Sequence, residues 1–243
     1  MLILGIDTAT DILALSLLDG DKITAEYNLS LKRQHSEKLL PLMQEMFETL
    51  EIKPEKLDGV AVGIGPGSFT GLRIAITAAK MIGRIFSIPV KGISTLETIA
   101  AGIKGEYVLP LIDARRNRVY YSFYQSSLNS KDDSAENTDS LKKILDAAGA
   151  EMEKLPEILA EYKDKEIILA GHKTEQSCKI LREAGFDVSA AESENNFPRA
   201  AVLARLGRNY IKAAEEDSIY ELKPAYLKKP QAELNWQKKY SSS

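Results

Sequence analysis

Gly65-Pro66-Gly67-Ser68-Phe69-Thr70-Gly71-Leu72-Arg73-Ile74 joins two different patterns of apolar residues. Residues 59–64, just before it, form a short apolar run of the kind a buried strand makes. From residue 71 to 86 the apolar positions recur at helical spacing, with Ser68 or Thr70 placed to cap the start. Gly63, Gly65, Gly67 and Gly71 cluster at this strand-to-helix junction. Backbone N–H groups there can bind an anion, assisted by the helix dipole. The same glycines serve equally well in a tight turn that needs permissive backbone angles. No Gly-Lys-Ser/Thr follows, so this is not a Walker loop, and alone it argues only weakly for a nucleotide.

Working outward, residues 2–7, 12–18 and 22–29 read as three strands in a meander, the last two joined by an Asp19-Gly20 hairpin turn. A helix is expected over residues 39–50 and a strand over 89–92, with another helix starting at Ser94 or Thr95. Three strands, then helix, strand, helix, strand is the half-unit of an actin-like, ribonuclease H-like α/β fold. It is not the regular alternation of a Rossmann domain. The pattern restarts near Glu106 with a hairpin, 107–112 and 118–124, around a turn at 113–117. Helical stretches are expected at 141–148 and 156–162, a strand at 166–170, and helices at 175–184 and 198–214. Residues 126–140 carry Ser, Asn and Asp without hydrophobic periodicity and read as a mobile loop. The expected architecture is therefore two lobes with mixed sheets flanked by helices and a cleft between them. Residues 1–104 form the first lobe, with a segment from about 207 to 230 packing back on it. Residues 105–206 form a smaller second lobe, and 231–243 a loosely ordered tail.

Composition narrows the function. The 243 residues carry a net charge of -3, against the basic footprint that a dedicated nucleic-acid binder uses to neutralise phosphates. Arg115, Arg116 and Arg118 make a local basic patch that reads as a solvated hairpin turn. One cysteine, Cys178, gives no internal disulfide, and no apolar run approaches the ~20 residues needed to cross a bilayer. A cytoplasmic protein without membrane contact is expected. The only histidines, His35 and His172, are far apart, so no clustered His/Cys metal site is evident. His35-Ser36-Glu37 reads as helix-capping chemistry rather than an acid–base pair, with Pro41 marking a helix start nearby. Asp7 ends the first strand. It suits either an Asx-type turn or the cleft aspartate that orients metal-bound water or phosphate in actin-like ATPases.

Residues 3–10, His35-Ser36-Glu37-Lys38-Leu39-Leu40-Pro41, residues 65–74, Ser94-Thr95-Leu96-Glu97 and Asp113-Ala114-Arg115 together resemble the TsaB family in order and spacing. Pro224-Ala225-Tyr226-Leu227 resembles its C-terminal signature, so the likeness covers nearly the whole chain. The resemblance implies an accessory subunit of bacterial tRNA modification that partners TsaD, a catalytic subunit of related fold. TsaD transfers a threonylcarbamoyl group to the adenosine beside the anticodon of tRNAs reading codons that begin with A. It holds a metal through a His-x-x-x-His pair, and the matching positions here are Thr95 and Ile99, a poor ligand and a non-ligand. The resemblance therefore implies no catalytic residue, cofactor or metal in this chain. Asp7, Gly65, Gly67 and Ser68 would be at most a vestigial nucleotide loop.

What remains reads as an interface. On the helix over 71–86 only Arg73, Thr77, Lys80 and Arg84 form a polar strip, leaving an apolar arc wider than the ~100° that one core needs. Ile74, Ala78, Met81 and Ile85 form one stripe of it, and Leu39, Leu40, Met43, Met46 and Phe47 a broad face on the preceding helix. In the family the corresponding two helices pack against the same pair in TsaD, giving a heterodimer. The resemblance further implies that the P-loop ATPase TsaE docks on that pair and that tRNA is contacted through the complex. The same apolar faces would also permit a homodimer. The competing class is an actin-like ATPase or small-molecule kinase, which needs a cleft carboxylate and two phosphate loops. Only Gly171-His172 offers a faint second loop.

Overall fold

A computed structural model describes residues 1–31, 34–126 and 141–227. The loop expected over 126–140, Ser126 apart, and the tail expected over 231–243 lie outside the described residues. Strands β1 (Leu2–Asp7), β2 (Ile12–Asp19) and β3 (Lys22–Ser30) form the antiparallel meander. Strands β4 (Gly59–Gly65) and β5 (Val90–Ser94) add to it in parallel, giving the order β3-β2-β1-β4-β5. β1 is buried at every position because helices cover both faces of the sheet.

The second sheet repeats this plan. Strands β6 (Tyr107–Asp113), β7 (Arg118–Ser126) and β8 (Leu141–Glu151) form a meander, and β9 (Ile167–Gly171) and β10 (Val188–Ala190) extend it in parallel. Its order, β10-β9-β6-β7-β8, is the first sheet's order strand for strand, read from the other edge. The expected α/β fold of two lobes with mixed sheets is thus present. Residues 141–148, expected as a helix, are the start of β8, and the helix expected over 156–162 is the short Leu155–Ile158 followed by a tight turn at Ala160–Tyr162. Leu141, Leu145 and Ala148 have helical spacing, yet pairing with β7 overrides that local preference. β10 was missed because three residues carry too little periodicity to read.

Helices are α1 (His35–Thr49), α2 (Phe69–Phe86), α3 (Thr95–Ala101), α4 (Leu155–Ile158), α5 (Thr174–Glu183) and α6 (Ala200–Lys212). α1 starts at His35, earlier than the expected residue 39, so Pro41 lies inside it and Ser36 does not cap it. The buried His35 ring anchors that extra turn, its Nε2 lying 2.9 Å from the Thr10 carbonyl. Ser68 is the cap of α2, its hydroxyl accepting from the Gly71 N–H at 3.2 Å.

α1 and α2 cover one face of the first sheet, and α6 covers the other. α6 lies on that sheet from Ala200 onward, so the return to the first lobe begins before residue 207. Leu203 and Ala204 pack there against Ile3, Ala61 and Ile93. α3 instead packs on the second sheet, where Leu96, Ile99 and Ala100 meet Val108, Ile112 and Ala170. The Tyr210 hydroxyl donates to Glu97 at 2.7 Å and so links α6 to α3 across the lobes.

After α6 the chain returns as an extended strap along β5. The Asp217 N–H donates to the Val90 carbonyl at 2.9 Å, and the Asp217 carboxylate accepts from the Gly92 N–H at 2.8 Å. Leu222 is buried in the first lobe's core, and the Ala225 N–H reaches the Ile64 carbonyl at 2.8 Å. The strap's end therefore arrives at the mouth of the Gly-rich junction.

Candidate functional site

The Gly-rich loop is locked onto the turn that follows β1. The Thr8 hydroxyl donates to the Gly71 carbonyl at 2.7 Å, and the Ser68 N–H donates to the Ala9 carbonyl at 2.7 Å. A side chain at Gly71 would fall on the Thr8 carbonyl oxygen, and one at Gly63 on the Asp7 carboxylate. These glycines are required by close approach of one segment to another. Asp7 is fully buried, and both of its oxygens are taken. Oδ1 accepts from the Ala9 N–H at 2.7 Å, the Asx-type turn, and Oδ2 from the Thr95 hydroxyl at 2.8 Å. Burial pushes its carboxyl up to about 6, against the two hydrogen bonds that pull it down.

Beyond this junction opens a cleft of about 570 Å³ between the lobes. Gly67, Ser68 and the first turn of α2 form one wall, and Asp113, Arg115 and His172 face them from the second lobe. Asp7 and Gly65 do not line it, so the structure separates them from Gly67 and Ser68. Tyr226 closes one rim by stacking on Phe69 at 4.8 Å, with the Arg73 guanidinium 3.9 Å from the Phe69 centroid and bonded to the Tyr226 hydroxyl. Asp113 forms an ion pair with Lys173 at 2.8 Å. Partial burial works against it, but the Lys173 ammonium and the Arg115 N–H hold the Asp113 carboxyl below its usual range. Burial lowers His172, outweighing the nearby carboxylates, and keeps it neutral at pH 7.

An actin-like ATPase site needs a free carboxylate and two phosphate-binding loops, and these residues do not fit one. Asp7 is fully buried, already accepts two hydrogen bonds and does not line the cleft. The Gly171 N–H is taken by Asn196 at 2.9 Å and the His172 N–H by the Leu111 carbonyl at 2.8 Å, so the second loop offers neither group. Among the described residues no group of three or more His, Cys, Asp or Glu could hold a metal ion.

The second candidate surface lies on the face of the first sheet that α1 and α2 cover. Leu39, Met43, Met46, Phe47 and Ala78 are buried in the lobe's own core, with Ile74 packed partly against it. Leu40, Met81 and Ile85 instead stand out, at 62%, 58% and 66% exposure. Leu40, with Ile82 and Phe86, borders a groove of about 680 Å³ between α1 and α2, floored by Met43, Phe47 and Leu57, whereas Met81 and Ile85 lie outside its lining. Periodicity groups these buried and exposed apolar residues together, because both obey helical spacing.

A protein of Bacillus subtilis called tRNA threonylcarbamoyladenosine biosynthesis protein TsaB is 32% identical over 97% of this chain and 98% of its own length. The chain belongs to the TsaB family. The Escherichia coli TsaB is 37% identical over 133 residues, covering 53% of this chain and 57% of its own. The family model described as TsaD: tRNA N6-adenosine threonylcarbamoyltransferase matches residues 22–236, so TsaB and TsaD share one domain pattern. YeaZ from Pseudomonas aeruginosa superposes with a TM-score of 0.76 at 22% identity, over 93% of this chain and 99% of that one. A ROK hexokinase from Thermus thermophilus reaches 0.50 at 12% identity over 87% and 100%, which places this TsaB-family chain in the actin-like fold. Thr95 and Ile99, which the resemblance sets at the positions of a metal-binding pair, have other engagements. Thr95 bonds Asp7, and Ile99 sits in the apolar cluster under α3. No described helix is long and apolar enough to cross a membrane.

Proposed function

We propose that this chain is the non-catalytic scaffold subunit that binds TsaD and activates it. TsaD would then transfer threonylcarbamoyl to the adenosine 3' of the anticodon in tRNAs reading codons that begin with A. The observation that carries this reading is the exposed apolar surface of α1 and α2, where Leu40 borders an apolar groove between the helices and Met81 and Ile85 stand exposed on α2. Large exposed apolar patches on soluble proteins mark association sites. Docking here would produce a heterodimer in the cytoplasm, with TsaE binding to the pair and tRNA reached through the complex. The same face would serve a homodimer when TsaD is absent.

The engagement of Asp7, Thr95 and the Gly171-His172 N–H groups supports assigning the chemistry to the partner. The test is a reconstituted reaction with TsaD, TsaE, tRNA and threonylcarbamoyl-adenylate, run with and without this chain. Modification should collapse when the chain is omitted, and the chain alone should neither modify tRNA nor hydrolyse ATP. Unchanged product without it would refute the scaffold role, and ATP hydrolysis by the chain alone would favour a kinase-class enzyme.

A further inference from the structure

The groove between α1 and α2 combines an apolar interior with an acidic edge. Met43, Phe47 and Leu57 form its floor, and Leu40, Ile82 and Phe86 stand in its walls. Glu48 and Glu51 lie at its edge against a single ammonium, that of Lys53. Neither carboxylate has an ion-pair partner among the described residues. Complementarity therefore favours an occupant that is apolar at its centre and positively charged at its flanks.

Residues 228–243, which lie outside the described residues, have that composition. Leu234 and Trp236 are flanked by Lys228 and Lys229 on one side and by Lys238 and Lys239 on the other, with Glu233 as the one acidic residue. Side chains two positions apart project to the same side of an extended chain, so Leu234 and Trp236 suit a common apolar surface. The reach is sufficient. The described chain stops at Leu227, next to Tyr226, whose ring stacks on Phe69 in the first turn of α2. From Phe69 the helix rises about 20 Å to Ile82 in the groove wall. The nine residues from Leu227 to Trp236 span up to about 30 Å when extended, which leaves slack for crossing the helix. A segment tethered this closely is held at an effective concentration on the order of millimolar, so a contact too weak for a free peptide is still filled.

We propose that residues 228–243 fold back across α2 and seat Trp236 in the groove, with Leu234 beside it and the lysines facing Glu48 and Glu51. The chain thereby covers its own apolar groove when alone. The seat overlaps the surface assigned above to TsaD, so the segment must leave before the partner docks. That consequence rests on the proposed scaffold role, whereas the seating itself does not.

Trp236 is the only tryptophan of the chain, so its fluorescence reports the seat directly. In the full-length protein its emission should be blue-shifted, and its quenching by acrylamide weaker, than in the same protein unfolded in urea. Leu40→Glu, at an exposed position, should return the emission to the unfolded value with the circular dichroism spectrum unchanged. Glu48→Lys, also exposed, should move it in the same direction. Leu234→Ser/Trp236→Ser in the full chain should bind TsaD about tenfold more tightly, the factor by which a seat nine-tenths filled lowers apparent affinity. The seating is overturned if wild-type emission already matches the unfolded chain or if Leu40→Glu leaves it blue-shifted. It is also overturned if the shift appears only as protein concentration rises, which would place a second copy on the groove. Equal TsaD affinity of the wild type and the tail variant overturns the competition. Failure of both to bind TsaD, with Trp236 still shielded, refutes the scaffold reading alone and supports the seat.

Discussion

Replacing Asp7 by Asn should stabilise the protein at neutral pH, and the size of the gain follows from its burial. The carboxyl is raised from 3.8 to about 6 in the folded state, chiefly by desolvation. Between those values the native state holds a proton that the unfolded chain releases, so stability falls as pH rises through the window. The cost is absent below about pH 4 and nearly complete by pH 7, where a carboxyl raised this far costs about 3 kcal/mol. Asn carries no charge and keeps the geometry. Its carbonyl accepts from the Ala9 N–H, and its amide donates to a Thr95 hydroxyl turned to accept. Thermal unfolding at about pH 7.5 should therefore show a gain of ~2–3 kcal/mol, or roughly 4–12 °C for a chain of this size. At about pH 4 the two proteins should differ by less than ~0.5 kcal/mol. Equal or lower stability of Asp7→Asn at the higher pH would refute the reasoning. It would show that the charge is compensated in the folded protein.

Met81→Glu and Ile85→Glu should fold normally, because both side chains are more than half exposed, yet lose co-elution with TsaD. A desolvated unpaired charge at a helix contact costs several kcal/mol, about a hundredfold or more in affinity. Normal binding by both would move the interface elsewhere. Ala78→Arg should instead unfold or strongly destabilise the first lobe, since Ala78 belongs to its core. Gly71→Ala should cost ~3 kcal/mol or more in urea unfolding, because the methyl meets the Thr8 backbone. Gly102→Ala, with only ordinary contacts, should change stability by less than about 1 kcal/mol. Chain purified without a tag should carry no stoichiometric zinc or iron by elemental analysis, and stoichiometric metal would reopen the question of positions 95 and 99.

Much of the fold was legible because it is local. The Asp19-Gly20 hairpin, the buried run of β4 and the Ser68 cap each need only a few residues to declare themselves. β8 was not legible, since its strand state depends on pairing with β7, and single-sequence periodicity pointed to a helix. The site was less legible than the fold. Arg115 and Arg116 read as a solvated turn and are exposed in one, but nothing in their spacing reports its left-handed backbone or the cleft beside it. The Tyr226 contact with Phe69 and Arg73 joins residues about 150 positions apart, beyond any pattern window. Burial divided Leu39 from Leu40 and Ala78 from Met81, a distinction set by which neighbours arrive rather than by the helix itself.

The strap along β5 has a consequence for how this protein can assemble. A sheet edge with open N–H and C=O groups invites a strand from another chain. Asp217 occupies that position beside Val90, and its side chain also takes the Gly92 N–H. The chain thus supplies its own plug at the edge next to α2, and continuation of the sheet into a second molecule is blocked there. Association on this side is left to side chains on helices, which can dissociate and re-form without breaking a backbone ladder.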